Sequence, residues 1–429
     1  MIVSKRKDDE VKMNNPYLLN SFWVICASVF VFMMQMGFAC CEAGFARSKN
    51  AANIWLKNLC DFLCGALAYY FIGFGLMYGQ DWHGLIGING FINPLNQDLA
   101  IWHQYAGTLS PQAFLLFQTM FCATTATIIS GSVAERFKFS TYLITSTMMT
   151  AFIYPIIGHW IWGGGWLSQI GFTDFAGSAA VHSVGGIAAL CGAIAVGPRI
   201  GKYTGKGKNT KSHAIPGHNI PMAMLGGFIL WVGWYGFNPG SELALDDVTF
   251  YTAITTTFAG AAGGLAALFF TWARYKKPDP TLALNGALAG LVAICSGVAE
   301  VSYIGSICIG IIAAILLVLS VEFVDHKLHV DDPAGAISLH GCSGITGTIL
   351  CGLFSTKTGL FYGHGGWQLL IQFTGIVSVV AFAAAACSLM FFILKHTIGV
   401  RVPAEVELEG LDVHEHGLQA YAEDSVNIA

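Results

Sequence analysis

Long apolar runs, separated by short polar segments, extend along almost the whole chain. A run of about 20 predominantly apolar residues is long enough to cross the hydrocarbon core of a bilayer as a helix. Eleven such runs lie near residues 17–40, 52–79, 112–134, 140–162, 178–197, 220–238, 251–273, 282–300, 303–324, 336–355 and 367–396. The pattern therefore predicts an all-α polytopic membrane protein with eleven transmembrane helices, numbered here as spans 1 to 11.

The composition favours a helical bundle surrounded by membrane lipid. Apolar residues make up 55% of the chain and charged residues only 11%, against about 25% charged in soluble domains. Glycine occurs 51 times, often inside the apolar runs, which suits helices whose backbones pack closely. A transmembrane β-barrel would instead need short segments of alternating polarity.

Charge and cysteine content argue against several other classes. The net charge is -4 and the basic residues fall in short clusters, so we expect no nucleic-acid surface. The 12 cysteines lie almost all in apolar runs, and none forms a pair or cluster with zinc-site spacing. We therefore expect neither a metal ion nor a cofactor. The polar first residues lack the separate apolar region of a signal peptide.

Basic residues alternate between loops and predict the orientation. They stand at or beside the odd-numbered loops and after span 11, as Arg47, Lys49, Lys57, Arg136, Lys138, Arg199 through Lys211, Arg274 through Lys277, Lys327, Lys395 and Arg401. The second, fourth, sixth and eighth loops contain no Lys or Arg. By the positive-inside rule the odd loops and the C-terminus are cytoplasmic, and the N-terminus is outside. Basic residues near the N-terminus disagree with this orientation but are outnumbered.

This topology divides the chain into three parts. Residues 1–16 are expected to form an extracytoplasmic tail, 17–398 the transmembrane domain, and 399–429 a cytoplasmic tail. Within the transmembrane domain, two five-span halves of opposite topology would cover about 17–197 and 220–355, followed by a last helix at 367–396. Such inverted repeats are a known plan of membrane transporters, with the working site at the bilayer midplane.

A repeated motif supports the two halves. The stretches DFAGSAAVH, from Asp174 to His182, and DPAGAISLH, from Asp332 to His340, share an acid, an Ala-Gly pair and a histidine eight residues after the acid. An aspartate at a helix start is expected to cap it, which is a structural role. Eight residues carry each histidine about 12 Å along its helix, close to the midplane from opposite sides. A lone histidine there is more often a packed core residue, but two at matched depth favour a pore or a proton relay.

The site that these histidines imply is apolar and lacks a ring of carboxylates. A permanent cation would be costly to bury there, so the solute is expected to be neutral at the midplane or to carry a proton that it can lose. Ammonium and ammonia fit that description.

Aromatic residues stand near the outer ends of three spans. They are Phe117 and Phe121 in span 3, Trp162 at the end of span 4, and Phe237 with Ser241 at the end of span 6. Aromatic faces attract cations, and a hydroxyl accepts a hydrogen bond from an N–H group, so the set could hold NH4+. The alternative is an interfacial aromatic belt with ordinary packing phenylalanines.

Seven motifs carry a resemblance to a known family. They are EAGFARSKN (42–50), GSVAERFKFS (131–140), WGGGWL (162–167), DFAGSAAVHSVGG (174–186), WYGFNPGS (234–241), VDDPAGAISLHG (330–341) and GLDVHEHGLQAY (410–421). In this order the chain resembles the Amt/Mep/Rh ammonium transporters, on their Amt side, from span 1 to the tail. Gln35, Cys40 and Cys41 depart from the usual bulkier groups of span 1, and Gly335 stands where some members have an acid.

The resemblance implies an Amt-type fold, a homotrimer with one pore in each subunit, and roles for particular residues. His182 and His340 resemble the paired pore histidines, and Phe121 with Phe237 the phenylalanine gate. Phe121, Trp162 and Ser241 resemble the external ammonium site, with Asp174 and Asp332 structural. It further implies deprotonation of NH4+ with separate passage of NH3 and H+. The C-terminal tail would be regulatory, and a PII-type signalling protein is a possible partner at the cytoplasmic face.

Three functions compete. The first is ammonium transport across the plasma or inner membrane, without enzyme activity. The second is an ammonium sensor on the same scaffold; the chain continues only briefly after LQAY, which favours transport. The third, an intramembrane metalloenzyme, is disfavoured because two histidines without a third ligand make a poor zinc site. The basic fifth loop could contact a partner or simply enforce topology, which we favour. Glu42 is expected to snorkel or to pair with Arg47, or else to line the inner vestibule.

Overall fold

A computed structural model describes residues 15–205 and 207–421. Within these ranges, eleven apolar helical segments form one bundle. Span 2 and span 4 each contain a short π-helical turn, and spans 5 and 10 each begin with one. The spans are Pro16–Phe45, Ala51–Tyr78, Pro111–Val133, Phe139–Ile161, Ser178–Val196, Ile220–Phe237, Asp247–Tyr275, Pro280–Ile294, Tyr303–His326, Ile337–Phe354 and Trp367–Thr397. Residues 1–14 of the predicted N-terminal tail and 422–429 of the C-terminal tail lie outside the described residues.

Short elements connect the spans. Two antiparallel two-residue hairpins pair Asp81–Trp82 with Ile86–Gly87 and Tyr203–Thr204 with Lys211–Ser212. The short helices are Ser48–Asn50, Pro94–Asn96, Ala100–Gln104, Trp166–Gln169, Gly207–Asn209, Pro239–Glu242, Leu360–Tyr362, Ala404–Glu409 and Leu411–His416. The all-α fold class is confirmed.

Span 8 is shorter than the prediction of 282–300. Its helix ends at Ile294, and residues 295–300 form turns. The chain leaves the helix here because its last carbonyls bond to the beginning of span 5. The Ser178 hydroxyl donates to the carbonyl of Val292 at 2.8 Å, and the amide of Ala176 donates to the carbonyl of Cys295 at 2.9 Å. The apolar run continues past Ile294 because most of these turn residues, Cys295 to Val298, are buried in the bundle; Ala299 and Glu300 are half-buried.

The corresponding contact in inverted orientation joins the end of span 3 to the start of span 10. The Ser132 hydroxyl, at the end of span 3, donates to the Asp332 carboxylate, just before span 10, at 3.0 Å. A Cβ atom added to Gly131 would lie 2.8 Å from the Cβ of Ala334, so the two segments touch. The ends of spans 3 and 8 thus support the starts of spans 10 and 5. The inverted halves interlock at both places.

Large apolar side chains cover the outside of the bundle. Phe22, Phe228, Phe269, Leu389 and Trp367 are among those that are more than half exposed. In water such a surface would be unfavourable, whereas lipid chains or another subunit would cover it. Ten of the described helices are long and apolar enough to cross a membrane, and Pro280–Ile294 is a shorter apolar helix. The protein is therefore a multi-pass membrane protein.

The end of the bundle that carries residues 399–421 is called the tail face. At this face Asp412 caps span 2, because its carboxylate accepts the amides of Ala52 and Asn53 at 3.1 and 2.8 Å. The Glu407 carboxylate accepts the amide of Ile200 at 2.7 Å. The described part of the tail therefore packs on the loops of its own chain.

Four charged residues, the loop cluster, join distant loops at the tail face. Arg199 donates two hydrogen bonds of 2.9 Å to Asp331, and a third of 2.6 Å to Glu135, which also pairs with Arg47. Burial alone would raise the pKa of Asp331, but the hydrogen bonds from Arg199 and the charges of Arg136 and Arg199 outweigh it and lower that pKa to about 2. The cluster fixes loops 1, 3, 5 and 9 to one another.

We expect Asp331→Asn to destabilise the protein by about 3 to 5 kcal/mol, because it removes one of the two carboxylates that balance the buried charges of Arg199 and Arg136, and Glu135 alone remains. Thermal unfolding in detergent measures this loss. The stability from Asp331 is present above the unfolded pKa near 3.9 and is lost as the pH falls through about 2, so the two proteins should converge in acid.

Glu322→Gln is the matched control. It breaks the more exposed ion pair of Glu322 with Arg274, at the same face, and should cost no more than about 1 kcal/mol. An equal effect of the two substitutions would contradict the role given to the loop cluster.

Candidate functional site

His182 and His340 meet inside the bundle. Their Nδ1 atoms are 3.1 Å apart and their ring centroids 5.2 Å apart, with 0% and 2% of the residues exposed. One Nδ1–H donates to the other Nδ1, which fixes opposite tautomers for two neutral rings. The Nε2 atom of His182 has no hydrogen-bond partner among the described residues. The pair can therefore accept or donate a proton.

Each histidine lies on a π-helical turn at the start of its span. The turns are Ser178–Ser183 and Ile337–Cys342. π-turns are rare and often occur at functional sites. Their presence at matched positions of the two halves was not predicted from the sequence.

The two aspartates of the repeated motif start these helices and do not contact the histidines. Asp174 accepts the amides of Gly177, Ala179 and Ala180 at 3.2, 3.0 and 2.9 Å. This is the geometry of a capping carboxylate, which satisfies amides that the helix leaves free.

Asp332 has the same geometry in the second half. It accepts the amides of Ala336 and Ile337 at 3.1 and 2.8 Å. Gly177 and Gly335 both adopt left-handed backbone, with φ of 103° and 74°, which glycine allows most easily. A glycine at 335 therefore follows from the turn that it makes.

Phe121 and Phe237 stack between the histidines and one end of the bundle, called the vestibule face, opposite the tail face. Their centroids are 4.1 Å apart and their planes 16° apart, and both side chains are buried. The ring of Phe237 in turn lies 5.3 Å from that of His182, with 29° between the planes. The rings of Phe121, Phe237 and His182 therefore form a continuous column.

A cavity of about 250 Å³ opens beyond the column toward the vestibule face. Phe121, Trp162 and Ser241 all line it, and the rings of Phe121 and Trp162 are 6.2 Å apart. The Trp162 indole N–H donates to the carbonyl of Asp174 at 2.7 Å, which orients its ring. The Ser241 hydroxyl donates to the carbonyl of Phe237 at 2.7 Å, so its lone pairs stay available as acceptors.

Trp234 and Gln118 belong to this region but were not predicted. Trp234 stacks on His182, with the ring centroids 5.4 Å apart. In the run WYGF, Trp234 stands three residues before Phe237, a spacing that places both side chains on the same helix face. Gln118 lines the cavity, and its Oε1 has no hydrogen-bond partner in the described chain. No sequence signal distinguished Gln118 from other polar residues of span 3.

A smaller cavity, of about 30 Å³, lies on the tail side of the histidine pair. We call it the tail-side cavity. His340, Phe38 and Glu42 line it, and the ring of Phe38 lies 5.8 Å from that of His340. The expected pairing of Glu42 with Arg47 is wrong, because Arg47 pairs with Glu135 and Glu42 accepts the Asn58 amide at 3.0 Å.

Together these features form an apolar region with two polar sites, the cavity at the vestibule face and the histidine pair. Aromatic faces and a hydroxyl at one end can hold a cation, and a buried imidazole pair follows behind a closed ring stack. Within residues 15–205 and 207–421, three or more His, Cys, Asp or Glu side chains nowhere come together as a metal site would require. An inverted-repeat bundle with such a region is the architecture of a membrane channel or transporter.

Comparisons with known proteins give the family. The sequence profile of the Ammonium Transporter Family matches residues 21–421. The chain is 43% identical to the ammonium transporter Amt2 of Archaeoglobus fulgidus, over 96% of this chain and 90% of that protein. It is 40% identical to the Amt2 of Methanocaldococcus jannaschii, over 94% and 92%. The chain therefore belongs to the ammonium transporter family.

Solved structures agree. A protein described as a sensor Amt protein matches with a TM-score of 0.87 and 40% identity, over 93% of this chain and 98% of that one. Mep2 of Candida albicans matches with a TM-score of 0.81 and 28% identity, over 91% and 88%. The resemblance to the Amt/Mep/Rh family is confirmed, and this is a family of ammonium transporters, not of enzymes.

Spans 5 and 10 can bring the histidines together because glycines stand where they cross. A Cβ atom added to Gly186 would lie 2.2 Å from the amide nitrogen of Gly341, the neighbour of His340. We expect Gly186→Ala to lower the free energy of unfolding by about 1 to 3 kcal/mol or more through this overlap. Thermal unfolding in detergent measures the change.

Gly366→Ala is the control for this substitution. Gly366 has an ordinary φ of -90° and no atom within 4 Å of an added Cβ. It should leave the melting temperature almost unchanged. A native melting curve for Gly186→Ala would show that the crossing is looser than the structure indicates.

Proposed function

We propose that this protein transports ammonium across the cell membrane. NH4+ binds at Phe121, Trp162 and Ser241, loses a proton, and crosses as NH3 and H+ along His182 and His340. The observation that carries the proposal is the buried histidine pair directly behind the stacked ring pair. A hydrated ion cannot enter that column, whereas a small neutral molecule can pass after a modest movement of the rings.

The electrostatics favour loss of the proton before passage. Burying an isolated ion in an apolar medium costs tens of kcal/mol in the limiting case, whereas a neutral amine costs far less. Ammonium can avoid this cost by leaving its proton to an acceptor, and imidazoles are suitable acceptors near neutral pH. The vestibule supports the first step, since aromatic faces stabilise a cation by about 0.5 to 2 kcal/mol.

The remaining assignments follow from the basic loops and from the family. We infer that the tail face is cytoplasmic and the vestibule face is outside, in the plasma or inner membrane. We also infer a homotrimer, a regulatory C-terminal tail, and a possible PII-type partner at the cytoplasmic face. Asp325 accepts hydrogen bonds from the hydroxyls of Tyr203 and Ser212, both at 2.8 Å, and so holds the fifth loop in place. This would give such a partner an ordered surface.

The alternative function is an ammonium sensor on the same scaffold, with any signalling module supplied elsewhere. The likeness to the sensor Amt protein, at 40% identity, is the observation that favours it. A sensor would bind ammonium at the vestibule without sustained charge movement, which separates the two functions by experiment.

His182→Ala should abolish or strongly reduce charge movement on solid-supported membranes after ammonium jumps, because the proton loses its first acceptor behind the ring stack. The native trimer should give a clear current. Native protein that binds ammonium without current would favour the sensor. A full current in His182→Ala would refute the relay.

Trp162→Leu should weaken ammonium binding rather than passage. Loss of a cation–π contact of about 0.5 to 2 kcal/mol corresponds to about a twofold to thirtyfold rise in the half-saturating ammonium concentration. The same charge-movement assay measures it as a titration. Trp367→Leu, at a tryptophan on the outside of the bundle with 70% exposure, is the control and should leave the titration unchanged. An unchanged titration in Trp162→Leu would contradict the proposed role of Trp162 in ammonium binding.

A further inference from the structure

We propose that Glu42 receives the transported proton at the tail side of the pore and returns it to the emerging ammonia. Glu42 belongs to a buried cluster with Lys57, Asn58 and Asp61, called the acid cluster. The proposal rests on the proposed transport function, but neither the family motifs nor the site residues above assign this role.

The position of Glu42 fits a group that meets the solute after the histidines. Phe38 and Glu42 are four residues apart on span 1, so their side chains are neighbours on one helix face. Phe38 lies against His340, and Glu42 follows one turn further toward the tail face, on the wall of the same cavity. The cavity, of about 30 Å³, is large enough for one water or ammonia molecule between His340 and Glu42.

The acid cluster contains an unusual density of unsatisfied polar atoms. Glu42, Lys57 and Asp61 are 4%, 0% and 0% exposed. Three buried atoms of the cluster lack a hydrogen-bond partner among the described residues. These are Lys57 Nζ, Asn58 Oδ1 and Asp61 Oδ1. The Ser130 and Ser146 hydroxyls lie against Glu42 and Asp61. Buried polar atoms are normally paired with protein or water, so the cluster is the kind of place that holds ordered water.

Charge balance gives the cluster one exchangeable proton. Glu42, Asp61 and Lys57, fully ionised, carry a net charge of -1; Glu415 and Arg136, which also act on Lys57, are opposite in charge and leave this sum unchanged. A buried net charge is costly, and one added proton makes the cluster neutral. Among the residues that the structure describes, no carboxylate lies within ion-pair distance of Lys57. Its Nζ lies 5.2 Å from the centre of the Tyr142 ring, and Tyr142 donates to Asp61 at 2.7 Å. Lys57 thus stabilises both carboxyls without neutralising either one permanently.

The charged and titratable groups that face Glu42 come from several elements. Lys57 and Asp61 lie on span 2, Tyr142 on span 4, and Cys41 beside it on span 1. His340 shares the cavity with Glu42 from span 10. The proton therefore has acceptors on both sides of the cavity.

The step balances as two proton transfers. The proton that NH4+ leaves at the vestibule passes along His182 and His340 and forms an O–H bond on the Glu42 carboxylate. Ammonia that follows into the cavity takes this proton, so the O–H bond breaks, an N–H bond forms, and NH4+ leaves toward the tail face. The carboxylate is then ready for the next proton.

A purely structural role is the competing explanation. Glu42 bonds to Asn58 at 3.0 Å and could simply tie span 1 to span 2. Gln can accept the same hydrogen bond at the same size, so Glu42→Gln separates the two roles. It keeps the tie and removes the exchangeable proton.

We expect Glu42→Gln to lower the ammonium current in proteoliposomes by about tenfold or more, as for the loss of a positioned acid–base group, and to flatten its dependence on pH. The melting temperature and the half-saturating ammonium concentration should stay near native. Glu42→Asp should keep a current with a displaced pH profile. Glu322→Gln, which removes one carboxylate at the same face away from the cavity, should behave as native.

The outcomes are separable. Absence of current from the native protein would overturn the proposed function and this inference with it. A native current that Glu42→Gln carries with the same amplitude and pH profile would overturn this inference alone.

Infrared difference spectra of native protein, with and without ammonium, keep the proposal testable if Glu42→Gln fails to fold. A protonated carboxyl band should change with ammonium and should shift in Glu42→Asp. No ammonium-dependent carboxyl band in the native protein would overturn the inference.

Discussion

The cost of placing a charge in an apolar interior governs this molecule at every level. The bilayer leaves no partner for free backbone groups, so the chain forms helices and caps them with its own side chains. The same cost shapes the route across the bundle. Phe121 and Phe237 stack in the buried interior, and the polar groups behind them are two imidazoles that can be neutral. In the proposed function this ring pair excludes hydrated ions. A solute that can leave its proton behind avoids the cost, and ammonium is such a solute.

The inverted repeat is held together where helices end inside the bundle. Spans 3 and 8 stop against the starts of spans 10 and 5, and their terminal groups bond across the contact. Asp174 and Asp332 satisfy the free amides of the two supported helices. These contacts fix the π-turns that carry His182 and His340. The contacts that satisfy the helix ends inside the bundle therefore also position the histidine pair.

The sequence predicted those features that local pattern encodes. The length of the apolar runs predicted the spans. The repeated motif predicted that Asp174 and Asp332 start two helices and that His182 and His340 lie close to the midplane. The predicted span 8 is too long because the residues after Ile294 are mostly small or apolar and buried, as in a helix, although they form turns. The loop cluster, the stacking of Trp234 and the partner of Glu42 depend on contacts between distant segments, which one sequence does not reveal. Orientation and assembly remain predictions from the basic loops and the family.

The same physical constraint gives the acid cluster its significance. In the proposed function a proton leaves ammonium at the vestibule, so an acceptor is needed at the tail side. Glu42, Lys57 and Asp61 form a buried group whose net charge of -1, when ionised, is balanced by one proton. Elsewhere, at the tail face, buried charges such as Asp331 and Arg199 pair completely. The incomplete pairing near Glu42 sets that cluster apart from a structural ion pair.

Comparison of ammonium with potassium tests the central claim most directly. Both are small monovalent cations, but potassium has no proton to lose. Charge movement of native protein in proteoliposomes should be strong after an ammonium jump and absent after an equal potassium jump. A potassium current of similar size would contradict the account, because it would mean that an intact cation crosses the ring stack and the histidine pair.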